Sequence, residues 1–146
     1  MNDRRPPRQA GARQFFDSNM LLYTLSTDTR KADIAAQILQ NGGTISVQVL
    51  NEFANVAKRK LGMSWDEVAR ALTSIRRFCA QPRPLTVETH EAAVRIADRY
   101  GYGLYDSLIL ASAVEAHCDT LYSEDMHSGH IIDNLKIVNP FASSHF

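Results

Sequence analysis

The stretch Leu104-Tyr105-Asp106-Ser107-Leu108-Ile109-Leu110-Ala111-Ser112-Ala113-Val114, followed by Thr120-Leu121-Tyr122-Ser123-Glu124-Asp125, decides the fold. Its first part is apolar nearly all round, which marks a buried helix. Its second part is a short strand that stops at a polar turn. A helix buried on all sides and feeding a strand is what a parallel α/β sheet requires, with helices covering both faces.

Reading outward, the same alternation recurs. Arg13-Gln14-Phe15-Phe16 is a short apolar run ending at Asp17, and a helix follows through Met20, Leu21, Leu22 and Leu25. A second helix, Ala32 to Leu39, stops at Asn41-Gly42-Gly43. Thr44-Ile45-Ser46-Val47 reads as a β-branched strand, and Val49, Leu50, Phe53 and Ala57 mark one face of a helix closed by Gly62. Ser64 and Glu67 have capping-box spacing ahead of Val68, Leu72, Ile75 and Phe78. Pro82 and Pro84 end that segment, Leu85-Thr86-Val87 reads as another strand, and a helix runs from Glu88 to Gly101. A helix from Leu104 to about His117 and the strand Thr120 to Ser123 come next, with a last strand at Ile137-Val138 before Pro140. The expected architecture is a three-layer α/β/α fold with a central, mostly parallel sheet of four to five short strands. Residues 1–13 are polar, rich in Arg and carry adjacent prolines; they read as a flexible basic arm ahead of one domain spanning 14–146.

A chain of 146 residues with 45% hydrophobic content supports one core. Sixteen basic and sixteen acidic residues cancel, which argues against a protein that coats nucleic acid by bulk charge. Cys79 and Cys118 are widely spaced in apolar surroundings and read as buried small hydrophobes. The N-terminus has no secretory apolar region and no run approaches the roughly 20 residues that span a bilayer. The expected setting is cytoplasmic, with no membrane contact.

Ligands of a parallel α/β sheet bind beyond the carboxyl ends of its strands. Asp17, Asp106 and Asp125 all fall at that edge: just after strand one, in the first turn of the buried helix, and two residues past the strand after it. Glu52 lies about a turn and a half into its helix and would have to reach back. Each has a plain alternative. Asp17 suits a helix N-cap, Asp125 a turn cap, and Glu52 a solvated helix position. Asp106 is the hardest to explain away, because a carboxylate on a buried helix is costly unless paired or bound to metal, and no Lys or Arg adjoins it. Four carboxylates gathered without a basic partner call for a hard divalent cation and an activated water, the equipment of a phosphodiesterase.

These residues resemble those of PIN-domain nucleases. Asp17-Ser18-Asn19 with Leu22-Tyr23 is similar to the family's opening motif, Tyr105-Asp106-Ser107-Leu108-Ile109-Leu110-Ala111 to its central motif, and Leu121-Tyr122-Ser123-Glu124-Asp125-Met126 to its third. Glu52 matches the remaining acid, and Ile137-Val138-Asn139-Pro140-Phe141 resembles the last strand. At this length the resemblance is to VapC-like toxins of type II toxin–antitoxin pairs. It implies an endoribonuclease that uses Mg²⁺, with Mn²⁺ as a substitute, and that is dimeric and held inactive by a cognate antitoxin. Asp17, Asp106 and Asp125 would hold the metal, Glu52 would orient or deprotonate water, and Asn19 and Ser123 would fix the carboxylates. The chain departs from many relatives in carrying His127 and His130 where they have a further acid.

Lys58, Arg59 and Lys60 could meet RNA phosphates, or simply complement a helix C-terminus. His127 and His130 could touch RNA, or be ordinary loop histidines; they do not form a zinc pair. No separate organic cofactor site is expected. Two other readings stay open: a non-catalytic PIN-like scaffold, and a housekeeping RNA-processing nuclease. A phosphotransfer domain lacks its strand-end Lys, and P-loop and Ser-hydrolase motifs are absent.

Overall fold

The computed structural model describes residues 13–79 and 81–142. The expected N-terminal arm lies outside the described residues except for Arg13. In chain order the elements are β1 (Gln14–Phe16), α1 (Ser18–Tyr23), α2 (Thr29–Gln40), α3 (Val47–Arg59), α4 (Trp65–Ile75), α5 (Val87–Tyr100), α6 (Leu104–Glu115), β2 (Thr120–Tyr122), β3 (Ile131–Ile132) and β4 (Leu135–Val138). The four strands form one sheet in the order β1-β2-β4-β3; β1, β2 and β4 are parallel and β3 is antiparallel. Helices and a mixed, mostly parallel sheet are the architecture expected from the sequence.

Helix starts are set by short polar side chains that accept from otherwise unpaired N–H groups. Asp28 accepts from Lys31, Ser46 from Val49 and Thr86 from Thr89. Ser64 and Glu67 complete the expected capping box of α4. The Asn41-Gly42 stop also holds, with Asn41 as C-cap and Gly42 at φ 78°.

Two expected strands are shorter than predicted, for one reason. In Thr44–Val47 only Thr44 and Ser46 make bridges, to Phe15 and Arg83. Ser46 then caps α3, so Val47 becomes its first helical residue. In Leu85–Val87 no ladder forms: the bridge falls earlier, on Arg83, while Thr86 caps α5 and Val87 opens it. In both places a hydroxyl cap outcompetes β-propensity by satisfying helix N–H groups. The sequence reading also lacked β3. It pairs with β4 around Asp133-Asn134, where Asp133 takes a φ of 53°, the left-handed geometry that a two-residue hairpin uses.

The helix α6 explains its own composition. Ile109, Leu110 and Ala113 enter the main core with Phe15, Phe16, Phe53 and Leu121, while Leu108 and Ala111 join Ala93 of α5 in a smaller cluster. Every residue from Ser107 to Ala113 is buried, so no face could be polar. At the far edge Gly43 is required by close approach: a Cβ there would lie 2.6 Å from the Phe16 ring and 2.9 Å from the Gln14 carbonyl oxygen. Both cysteines are free and buried, and burial pushes their thiols up to about 12 at Cys79 and about 11 at Cys118. Among the described residues no helix is long and apolar enough to cross a membrane.

Candidate active site

Parallel register builds the centre of the site. Phe16 pairs with Tyr122, so the chain leaves β1 and β2 at the same level, and the Asp17 N–H donates to the Tyr122 carbonyl at 3.0 Å. This sets Asp17 beside Ser123, whose hydroxyl donates to Asp17 Oδ2 at 2.7 Å. The other oxygen, Oδ1, accepts from the Ser18 N–H at 2.7 Å. Asp17 is thus the N-cap of α1, as its plain alternative held, and yet only 3% exposed. Burial pushes its carboxyl up to about 7; hydrogen bonds from Ser123 and Ser18 oppose the rise, and the charges of Glu52 and Asp106 add to it.

Glu52 does reach back. Helical side chains lean toward the N-terminus of their helix, and here Glu52 Oε1 accepts from Ser18 Oγ at 3.1 Å. Its Oε2 accepts from Gln48 Nε2 at 3.2 Å, one turn earlier on α3. Burial raises its pKa, the two hydrogen bonds lower it, and Asp106 and Asp125 raise it again. Asp106, in the first turn of α6, is half-buried and raised first by burial and then by the charge of Asp125. Asp125 is exposed. Asn19 Nδ2 donates to its Oδ2 at 3.2 Å, while Asn19 Oδ1 accepts from the Glu124 N–H at 3.3 Å. Ser123 Oγ also accepts from the Asp125 N–H at 3.3 Å, so one hydroxyl braces two of the acids.

The four predicted carboxylates are therefore brought within range of one another's charge. Among the described residues the ion pairs are Arg13–Asp119, Lys31–Glu124 and Arg70–Asp66, and none neutralises the group. The donors are all oxygen, the set a hard divalent cation prefers. As the side chains stand, no three His, Cys, Asp or Glu among the described residues are gathered closely enough to hold a metal ion. The four carboxylates therefore share an edge without closing on a common point among the described residues. Their chemistry fits a divalent cation; ligation needs them to draw inward.

Sequence reasoning did not single out Ser18 and Gln48, the two groups that hold Glu52. Their signals were Ser18 following Asp17 directly and Gln48 lying four residues before Glu52 on one helix face. Lys58, Arg59 and Lys60 are elsewhere, at the C-terminal end of α3. That is about 9 Å or more along the axis from Glu52 at 1.5 Å per residue. Lys58 Nζ sits 5.2 Å from the exposed Trp65 ring centroid.

A family model described as the PIN domain matches residues 15–128. No curated protein matches the chain in sequence. Among solved structures, a chain of a toxin–antitoxin complex from Klebsiella pneumoniae is similar, with a TM-score of 0.67 and 21% identity over 88% of this chain and 98% of that one. A chain of VapBC2 from Rickettsia felis, bound to a DNA fragment from its promoter, has a TM-score of 0.60 and 18% identity over 85% of this chain and 96% of that one. At such identities the likeness is one of fold.

Proposed function

This chain belongs to the PIN domain family, and from that premise we propose that it is a Mg²⁺-dependent endoribonuclease, the toxin of a toxin–antitoxin pair. The observation that carries the reading is the convergence of Asp17, Glu52, Asp106 and Asp125 at one sheet edge with no basic side chain among the described residues to neutralise them. The structural likeness to chains of toxin–antitoxin complexes supports the choice of a toxin over a housekeeping nuclease. It also supports a cognate antitoxin as partner. We place the protein in the cytoplasm and take it to be a homodimer.

Asp17, Asp106 and Asp125 would hold the cation, and Mn²⁺ would serve in place of Mg²⁺. When bound, such an ion supplies Lewis-acid stabilisation of the charge that builds on phosphoryl oxygens. The protein's own groups do the positioning. Ser18 and Gln48 each donate to one oxygen of Glu52, leaving a lone pair on each to orient the attacking water and accept its proton. Ser123 and Asn19 fix the directions of Asp17 and Asp125. Lys58, Arg59 and Lys60 would meet RNA phosphates at a distance from the chemistry.

The test is incubation of purified protein with total RNA, with and without Mg²⁺. Wild type cleaves only with the metal, and Asp106→Asn loses cleavage while keeping its circular dichroism spectrum. Wild-type cleavage by Asp106→Asn would sink the assignment. A non-catalytic scaffold is the second reading, favoured by the lack of a gathered ligand group among the described residues. Titration calorimetry separates the two, since a scaffold takes up neither Mg²⁺ nor Mn²⁺ at these carboxylates. Growth arrest on expression, relieved by Asp106→Asn, is expected of a toxin and not of a housekeeping enzyme.

A further inference from the structure

Beside the carboxylates runs a column of rings that the chemistry above leaves unused. Tyr102 and His130 are stacked, with centroids 5.8 Å apart and planes 22° from parallel, and the Tyr102 hydroxyl meets His130 Nδ1 at 2.8 Å. Tyr100 packs edge-on against His130 at 5.2 Å, and His127 edge-on against Tyr102 at 6.2 Å. The Arg99 guanidinium lies 5.3 Å from the Tyr100 centroid and closes the outer end. The inner end lies near the site: Tyr102 is within range of the charge of Asp106, and His127 is two residues after Asp125 in the chain. Arg99 and His127 are exposed, and Tyr100, Tyr102 and His130 are half-buried, so the rings are reachable.

The column is held in place by backbone, not by core packing alone. The Gly129 N–H donates to the Ile137 carbonyl at 2.7 Å, and the Ile137 N–H donates to the His130 carbonyl at 3.0 Å. These bonds tie the histidine loop to β4. Rigid, planar side chains fixed before binding lose little entropy when a planar ligand arrives. Aromatic rings interleaved with an arginine form the platform on which unpaired bases stack, with the cation taking up a phosphate. The outer end also opens on a cavity of about 350 Å³ lined by Arg95, Arg99 and Tyr100, together with the carboxylates Glu115 and Asp133. A second cationic side chain is thus available to a backbone continuing past the rings.

We propose that Tyr102, His130, Tyr100 and Arg99 form the track that binds unpaired nucleotides of single-stranded RNA next to the scissile phosphate. The inference rests on the nuclease reading, for its substrate is the one the four carboxylates would cut. It assigns His130, one of the two histidines that stand in place of a further acid, to substrate recognition through its ring. It also gives the enzyme a preference for unstructured RNA, since a base held in a duplex has no free face to stack.

The test is fluorescence anisotropy with a short fluorescein-labelled unstructured RNA, using the Asp106→Asn background so that binding is read without cleavage. His130→Leu and Tyr102→Leu should each weaken binding about tenfold. Arg99→Gln, an exposed change with little bearing on folding, should weaken it less and reduce its salt dependence. Phe78→Leu, an exposed aromatic outside the column, should change nothing. In the active protein the same three column variants should raise KM for this RNA and leave kcat within about threefold, which mere loss of folded protein would not do. Unchanged binding and KM in both His130→Leu and Arg99→Gln would overturn the track, as would equal weakening for duplex RNA. A wild-type protein that binds this RNA through the column but never cleaves it would instead remove the nuclease reading and keep the track.

Discussion

Glu124 and Asp17 lie at the same sheet edge and solve the same electrostatic problem in opposite ways. Burial raises both, but the Glu124 carboxylate is then drawn below its ordinary range by Lys31 and Tyr23. Lys31 Nζ is 2.8 Å from Glu124 Oε2, Tyr23 donates its hydroxyl to Oε1, and the ammonium rests 4.5 Å from the Tyr23 ring centroid. Asp17 has only neutral donors, Ser123 and the Ser18 N–H, and burial dominates. One acid is complete within the protein. The other has no cationic partner among the described residues, and the difference separates a neutralised carboxylate from a desolvated one at positions that look alike.

The largest expected effect on that contrast comes from Asp17→Asn. Cleavage should fall at least about a hundredfold, read as kcat/KM on RNA in Mg²⁺. The same variant tests the electrostatics without any activity. Because the folded Asp17 carboxyl is raised from 3.8 to about 7, the folded state holds this proton more tightly than the unfolded chain does. Its contribution to stability is therefore complete below about pH 4 and is lost as pH rises through about 7, by on the order of 4 kcal/mol at most. Urea unfolding in chelator should show wild type losing stability between pH 5 and pH 8, and Asp17→Asn losing much less. An equal slope in both proteins would break the contrast.

Ser123→Ala comes next. It takes away the donor to Asp17 Oδ2 and the acceptor for the Asp125 N–H, so Mg²⁺ affinity by calorimetry should drop about 10- to 100-fold. On the paired side, Lys31→Met should lower the melting temperature, and adding Glu124→Gln should restore most of the loss, because the penalty is an orphaned carboxylate. The sign of the pH effect is reversed there. Glu124 is lowered from 4.5, so its contribution is present above about that pH and is lost as acid protonates it. The smallest expected effect is that of Glu124→Gln on catalysis, with kcat/KM within about threefold of wild type. A loss as large as that of Asp17→Asn would mean that Glu124 belongs to the site after all.

Asp17, Asp106 and Asp125 were legible because each stands where a parallel fold has one possible edge, whereas Glu52 rested mostly on the family resemblance. The boundaries at Thr44–Val47 and Leu85–Val87 were not, because β-branched residues and hydroxyl caps compete locally and the cap's hydrogen bond settles the outcome. β3 escaped notice because Ile131-Ile132 is two residues long and pairs only through β4. Asp106 had seemed the acid hardest to explain away, on the apolar run that follows it. In the fold it is half-buried at the open end of that helix, and the most enclosed acid is Asp17, whose burial depends on β2 arriving alongside. Ser18 and Gln48 carried no composition signal, since a polar residue beside an acid is ordinary until the acid's partners are known.

By itself the sequence determined the α/β class, the buried character of α6 and the family motifs, because periodicity and residue chemistry are local properties of the chain. Only the tertiary structure decided which acid is desolvated and which is neutralised by Lys31. Those outcomes depend on pairs separated by about a hundred residues, Asp17 with Ser123 and Tyr23 with Glu124, that meet only when β1 and β2 pair in register.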